Sequence, residues 1–242
     1  QLAERVHVRG VACCGIDTAP TVSLCAERLG LPGIPYATAC LTHNKAQVRE
    51  ALEGAGLQHY QPRWMAVLGA WSTNLRGQVI TEGVLSGWPV VVKPLEQRAS
   101  RGVTIVRRPA DLPTAVAKAM QYSEEYLLEE CLVGTEHSAE MILRDGEVLF
   151  WNVVDRYFDY RSGTGIETGH VNPSALPLGQ QKEFRSMALV VADALGVQWG
   201  AFKLDVMLTE HGPKLLECTA RLSGGFDSQW TSPATGRHPM RQ

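Results

Sequence analysis

Apolar Phe202, Leu204, Val206 and Leu208 alternate with Lys203, Asp205, Met207 and Thr209. That period of two predicts a half-buried strand. A second apolar run holds Leu215, Leu216 and Cys218, and Glu210-His211-Gly212-Pro213 between the runs is turn chemistry, so the pair predicts a β-hairpin. Val6–Cys14 predicts a short strand. Thr21–Leu29 has helical spacing at Val22, Leu24, Cys25 and Leu29 and stops at Gly30. Asn44 predicts the cap of a helix from Lys45 to about Gly54. Pro89–Pro94 reads as a buried strand that ends in a cation, Lys93. A turn at Ser100-Arg101-Gly102, a strand at Val103–Val106, a helix from Pro109 to about Tyr122 and a strand at Tyr126–Glu130 follow. Glu136–Leu143 and Val148–Val154 predict a hairpin that turns at Arg144-Asp145-Gly146. Gln180–Leu195 predicts a helix with Phe184, Met187, Ala188 and Val191 on its apolar face, ended by Gly196. Arg63–Leu68 and Val79–Leu85 carry no decisive pattern, and Trp64 and Trp71 are expected only to pack. Phe158–Pro177 is rich in Gly and Ser and lacks periodicity, which predicts a mobile loop over a substrate. The result is a mixed α/β (α+β) chain with a small lid lobe at about 86–133.

The hairpin changes the picture from fold to chemistry. With Glu210–Gly212 as its loop, Asp205 falls opposite Glu217. Two carboxylates roughly 5 Å apart at an effective dielectric near 20 repel by about 3 kcal/mol. Two readings follow. A hard divalent cation, Mg²⁺ completed by phosphate oxygens, would hold the pair. Otherwise the face is solvated or Lys203 pairs diagonally with Glu217, and a slip of one residue would change the register. Repulsion also predicts that Asp205→Asn and Glu217→Gln leave the ligand-free stability level or raised.

Composition sets limits. The chain has 242 residues, 45% of them hydrophobic and 20% charged, which is ordinary globular composition. A net charge of −2 argues for no nucleic-acid partner and no membrane surface. No apolar run approaches the roughly 18 residues of a membrane span, and no signal-peptide pattern opens the chain. The six cysteines, Cys13, Cys14, Cys25, Cys40, Cys131 and Cys218, lack CxxC spacing and are expected as reduced thiols of a cytoplasmic protein. Opening at Gln1, the sequence is expected to be a segment of a longer protein.

Lys93, at a strand end before a turn, suits a phosphate contact, or it snorkels to water. Lys45 carries less information. In Glu129-Glu130-Cys131-Leu132-Val133-Gly134-Thr135-Glu136 a strand leaves its sheet. Backbone groups at Glu130 and Leu132 would then be free to read the edge of an adenine, with Glu136 accepting from ribose hydroxyls. Its bland alternative is a charged strand end.

Taken in order, Asn44-Lys45, Trp88–Pro94, Ser100–Val103, Glu129–Glu136, Asp205 and Glu217-Cys218-Thr219-Ala220-Arg221 resemble the ATP-grasp family. The resemblance runs from about residue 40 to the end. It implies an ATP-grasp domain at 41–242, with residues 1–40 as the tail of a Rossmann-like lobe before it. It implies that Lys45 and Lys93 contact the α- and β-phosphates and that the loop 99–103, with Ser100 and Gly102, closes over the γ-phosphate. Glu129, Glu130 and Leu132 would bind adenine, Glu136 the ribose, and Asp205 and Glu217 the Mg²⁺, with Mn²⁺ as an alternative. Two residues depart from the pattern. Thr219 stands where the family usually has a metal-binding Asn, and Ala99 where the lid loop often has Gly.

Within the family, Glu167-Thr168-Gly169-His170 and Arg221 with Ser223-Gly224-Gly225 resemble the carboxylate–amine ligases that join amino acids. That implies Glu167 and His170 facing the substrate amine and Arg221 holding a carboxylate or acyl phosphate. The bland alternatives are a turn-capping His170 and an Arg221–Glu217 salt bridge. The expected substrates are a small carboxylate and an amine, both amino acids, and a homodimer is compatible with the chain. The rivals are a purine-biosynthesis or biotin-carboxylase-type enzyme, and a nucleotide-binding domain without chemistry.

Overall fold

The structure, a computed structural model, describes residues 7–69, 87–97, 100–224, 232–236 and 238–239. Among the described residues, nine strands form two antiparallel sheets. The small sheet has the order β1-β4-β2-β3, with β1 at Trp64–Leu68, β2 at Val90–Pro94, β3 at Thr104–Val106 and β4 at Glu125–Glu130. The large sheet has the order β7-β6-β5-β8-β9, with β5 at Thr135–Arg144, β6 at Glu147–Asp159, β7 at Ile166–Val171, β8 at Gly200–Thr209 and β9 at Gly212–Thr219. Helices α1 (Ala19–Arg28), α2 (Tyr36–Leu41) and α3 (Lys45–Gly54) precede the sheets. Helix α4 (Leu112–Ala119) covers the small sheet and α5 (Leu178–Ala194) the large one.

Local chemistry explains most boundaries. Pro20 sits in the first turn of α1, where its missing N–H costs nothing, so the helix starts two residues before the expected Thr21. Asn44 caps α3 by accepting from the Gln47 N–H at 3.1 Å, as expected. The β5–β6 turn is the two residues Asp145-Gly146, both at positive φ, as the twist of a hairpin favours. Phe184, Met187, Ala188 and Val191 of α5 pack on Phe202, Leu204 and Val206 of β8, the alternating set read from the sequence. Ala19, Ile34 and Ala39, from the segment expected to belong to a preceding lobe, enter this same core.

Three expectations need correction. The run ending at Cys14 forms no strand among its described residues, only an isolated bridge from Cys14 to Leu222, because among the described residues Leu222 alone pairs with it and one bridge makes no ladder. The small lobe begins earlier than residue 86, since β1 pairs with β4. Trp64 on β1 packs beside Ala46, Leu95 and Leu127, while Trp71 and Val79–Leu85 lie outside the described residues. Phe158–Pro177 is not all loop. Its middle is β7, an edge strand with little burial on either face and a bulge opposite Tyr157/Phe158, so no alternation marks it.

The sheets join at one end through Cys131–Gly134. On another side the β6–β7 loop grips the small lobe. Ile105 N–H donates to the Gly163 carbonyl at 2.8 Å, Thr164 Oγ1 donates to the Val103 carbonyl at 3.0 Å, and Lys118 Nζ donates to Thr164 Oγ1 at 2.9 Å. Between the sheets lies a cavity of about 1030 Å³.

Candidate active site

All the site residues expected from the sequence line this cavity except Gly102 and Thr219. Asp205 does face Glu217, but not through the expected loop. Thr209 pairs with Gly212, so the turn is only Glu210-His211, and Val206 pairs with Leu215. Continued unbroken, that register would set Asp205 against Leu216 and turn Glu217 to the other face. A bulge at Leu216 restores the pairing. Arg49 of α3 holds the bulge by donating to the Leu215 and Leu216 carbonyls at 2.9 and 2.8 Å.

Asp205 is buried and fully engaged. Lys203 Nζ lies 2.6 Å from Oδ1 and 2.8 Å from Oδ2, Arg156 Nη1 lies 2.8 Å from Oδ1, and Ser138 Oγ donates at 2.7 Å. Burial opposes the charge, yet Lys203 and Arg156 hold this carboxyl well below the usual range. Lys203 thus serves its own strand rather than pairing diagonally with Glu217. Glu217 is 30% exposed, with Lys45 Nζ at 3.7 Å. Thr219 Oγ1 is buried and has no hydrogen-bond partner among the described residues.

These residues fit a magnesium ion. No cluster of three His, Cys, Asp or Glu side chains gathers among the described residues. Mg²⁺, however, is commonly held by one or two carboxylates with nucleotide phosphates completing its shell. Two opposed carboxylates and an orphaned hydroxyl two residues beyond Glu217 on β9 are a hard oxygen set of that kind.

The small sheet supplies the opposite wall. Glu129 is 1% exposed and lies between Arg49 (Nη2 at 2.9 Å) and Lys93 (Nζ at 2.5 Å). Burial opposes its charge, but Arg49 and Lys93 hold its pKa down. Its carboxylate therefore fixes the two cations and leaves only the backbone for a ligand. The Glu130 N–H is taken by the Arg63 carbonyl at 3.0 Å, so that group is not free as expected. Lys45 Nζ donates to the Gln97 carbonyl at 2.6 Å. Ser100 and Gly102 sit at positive φ in the lid turn, and a Cβ on Gly102 would approach Tyr122 to 2.8 Å. Ala99 lies outside the described residues.

Arg156 of β6 organises the remaining wall. Its Nε and Nη2 donate to the two oxygens of Glu167 at 3.1 and 2.8 Å, and its guanidinium lies 4.7 Å over the Phe158 ring. His170 sits beside Glu167, with Nδ1 at 3.9 Å. Arg221 is tied not to Glu217 but to Asp17 Oδ1, by Nε at 2.9 Å and Nη2 at 2.8 Å, while Nη1 donates to the Leu222 carbonyl at 3.0 Å.

Sequence reasoning missed Arg49, Arg156, Asp17 and a largely buried relay in the cavity wall itself. For Arg49 a signal existed, because Lys45, Val48, Arg49 and Leu52 share one face of α3. In the relay, His137 Nδ1 faces Asp155 Oδ1 at 2.9 Å and Nε2 faces Thr135 Oγ1 at 2.8 Å. The Asp155 carboxylate also accepts from Ser174 Oγ and from the Ala175 N–H. Burial lowers the pKa of His137 against the pull of Asp155. The neutral ring therefore carries its proton on Nδ1 toward Asp155.

Glu136 is pushed up to about 7, mainly by burial, with Arg156 opposing and Asp205 and Glu167 adding repulsion. The unfolded chain ionises this carboxyl near 4.5, so the native state binds more protons between the two values. Its contribution to stability therefore falls as pH rises from about 4.5 to about 7. Glu129 and Asp205 act oppositely, since their depressed values give stability that is lost as pH falls through them. Glu136→Gln is expected to remove the first slope. Urea unfolding of both proteins at pH 5 and pH 8 checks this, and the variant should gain on wild type only at pH 8.

A family model described as an ATP-grasp domain matches residues 86–229. Carnosine synthase 1 of Gallus gallus is 26% identical over 98% of this chain and 27% of its own length. D-alanine--D-alanine ligase of Geobacter sulfurreducens is 29% identical over 76% of this chain and 58% of its own. The chain thus spans little more than half of that relative, and less of the first. The crystal structure of an L-amino acid ligase from Bacillus licheniformis superposes with a TM-score of 0.70 at 23% identity, covering 92% of this chain and 52% of that one. Among the described residues no helix is long and apolar enough to cross a membrane.

Proposed function

This chain belongs to the ATP-grasp family, and from that premise we propose that it is the nucleotide-binding and catalytic part of a carboxylate–amine ligase acting on amino acids. The observation that carries this reading is the pair Asp205 and Glu217, opposed on one wall of a cavity whose other wall presents Lys93. Lys45 and Lys93 hold nucleotide phosphates under the turn at Ser100–Gly102. The backbone from Glu129 to Leu132 meets the adenine, and Glu136 the ribose. Asp205 and Glu217, with Thr219 behind, hold Mg²⁺, which neutralises phosphate charge when bound. Residues 1–40 end a preceding lobe, and the setting is cytoplasmic.

The γ-phosphoryl passes to a carboxylate oxygen of one substrate, releasing ADP. The amine of the second substrate attacks the acyl carbon, the C–O bond to phosphate breaks, and an amide remains. Glu167 and His170 orient the amine and receive its proton, and Arg221, fixed by Asp17, faces the reacting carboxylate. Catalysis here is mainly positioning and charge neutralisation.

Lys93→Ala tests the nucleotide site. It should weaken ATP by about 10-fold or more and leave adenosine within about twofold, in line with loss of one charge-assisted contact. Calorimetry on both ligands reads this, and equal losses would remove Lys93 from the phosphates. ADP release with pairs of amino acids, absent without them, tests the ligase step. Turnover only with bicarbonate or a purine precursor would move the reading to another branch.

A further inference from the structure

We infer that Arg156 is an exchangeable guanidinium, which neutralises Asp205 in the ligand-free site and passes to the substrate carboxylate once a divalent cation takes Asp205. The inference rests on the ligase reading and assigns the residue that links its metal site to its substrate site.

The argument begins with charge. Asp205 carries one negative charge and already has two cations within 2.8 Å. A divalent cation on the same carboxylate would meet both, so one of them must yield. Lys203 is poorly placed to leave. It lies on the same strand, reaches both oxygens of Asp205 and is buried. Arg156 reaches Asp205 from β6, across β5, through Nη1 alone.

Release of Nη1 does not release the side chain. Nε and Nη2 stay on Glu167, and the Phe158 ring supports the guanidinium plane. The freed N–H remains in the cavity wall between the acid that holds the metal and the acid that orients the amine. A carboxylate awaiting phosphorylation belongs between those two points, and it accepts the freed Nη1 N–H in a single charge-assisted hydrogen bond. Arg221 cannot make the same exchange, since Asp17 and the Leu222 carbonyl occupy all three of its nitrogens away from the metal carboxylates.

The exchange has a signature that does not depend on turnover. Mg²⁺ competes with Arg156 for Asp205, so the Mg²⁺ needed to half-saturate binding of a non-hydrolysable ATP analogue reports the competition. Arg156→Gln should lower that concentration by about fivefold, because one competing cation is gone. Arg156→Lys should leave it within about twofold. Glu167→Gln should move it the other way, raising it by about twofold or more, because Arg156 then concentrates on Asp205. Calorimetric titration of the folded full chain, with thermal unfolding as the folding control, measures all three. An unchanged or raised Mg²⁺ requirement in Arg156→Gln, or a lowered one in Glu167→Gln, overturns the inference while nucleotide binding stands. Nucleotide binding indifferent to Mg²⁺ in wild type would instead remove the metal from the ligase reading, and the exchange with it.

Discussion

Asp205→Asn is expected to abolish ATP-dependent turnover and to lower the unfolding free energy by about 3–5 kcal/mol, the usual cost of breaking a buried ion pair from one side. Considered only as one of two repelling carboxylates, Asp205 should be replaceable at no cost in stability. The structure reverses that expectation, because Asp205 is not short of counter-ions. Its neutral replacement leaves Lys203 buried with no carboxylate and takes one partner from Arg156. Glu217→Gln should behave differently. Glu217 is 30% exposed and its cation stands at 3.7 Å, so stability should change by less than about 1 kcal/mol while turnover is still lost. Urea unfolding of both variants beside an ADP-release assay separates the two effects. If both variants match wild type in stability, the cluster of buried Asp205 and Lys203 with half-buried Arg156 contributes nothing net.

Alternation places β8, and a three-residue turn read from the sequence sets Asp205 opposite Glu217, the pairing that the structure has by another route. The chain uses a two-residue turn and a bulge at Leu216, and the two offsets cancel. The bulge left no mark in the hairpin because Arg49, which satisfies its carbonyls, comes from α3 much earlier in the chain. Arg156 was illegible for a similar reason. It follows Asp155 in an ordinary strand, and its partners Glu167 and Asp205 arrive from β7 and β8. Local patterns report which face a residue takes, whereas ion-pair partners depend on which strands become neighbours. β7 carries no pattern in the sequence because an edge strand with little burial on either face has no reason to alternate.

The same distinction separates glycines that look alike in sequence, and Gly134→Ala should have the second large effect. Gly134 ends the segment that leads from β4 in the small sheet to β5 in the large one. A Cβ there would stand 2.0 Å from the Leu208 carbonyl oxygen and 2.7 Å from its carbon. Both atoms belong to the backbone of β8, the neighbour of β5, so no side chain can swing aside. Either the Thr135–Leu208 end of the ladder parts or the joining segment shifts, and both moves displace Leu132 and Glu136 at the cavity edge. The expected loss is more than about 3 kcal/mol, at the upper end for a single substitution. Nucleotide affinity should fall with it, although no polar group has been removed. Gly169→Ala in β7 is the control, since nothing lies within 4 Å of its Cβ position and its φ is not left-handed. It should stay within about 0.5 kcal/mol of wild type. Urea unfolding and nucleotide titration of the two variants decide the matter. Equal stability would mean that the chain between the sheets can yield by more than an ångström, and the cavity would then owe its shape to the Gly163–Ile105 contact at the other side rather than to this junction.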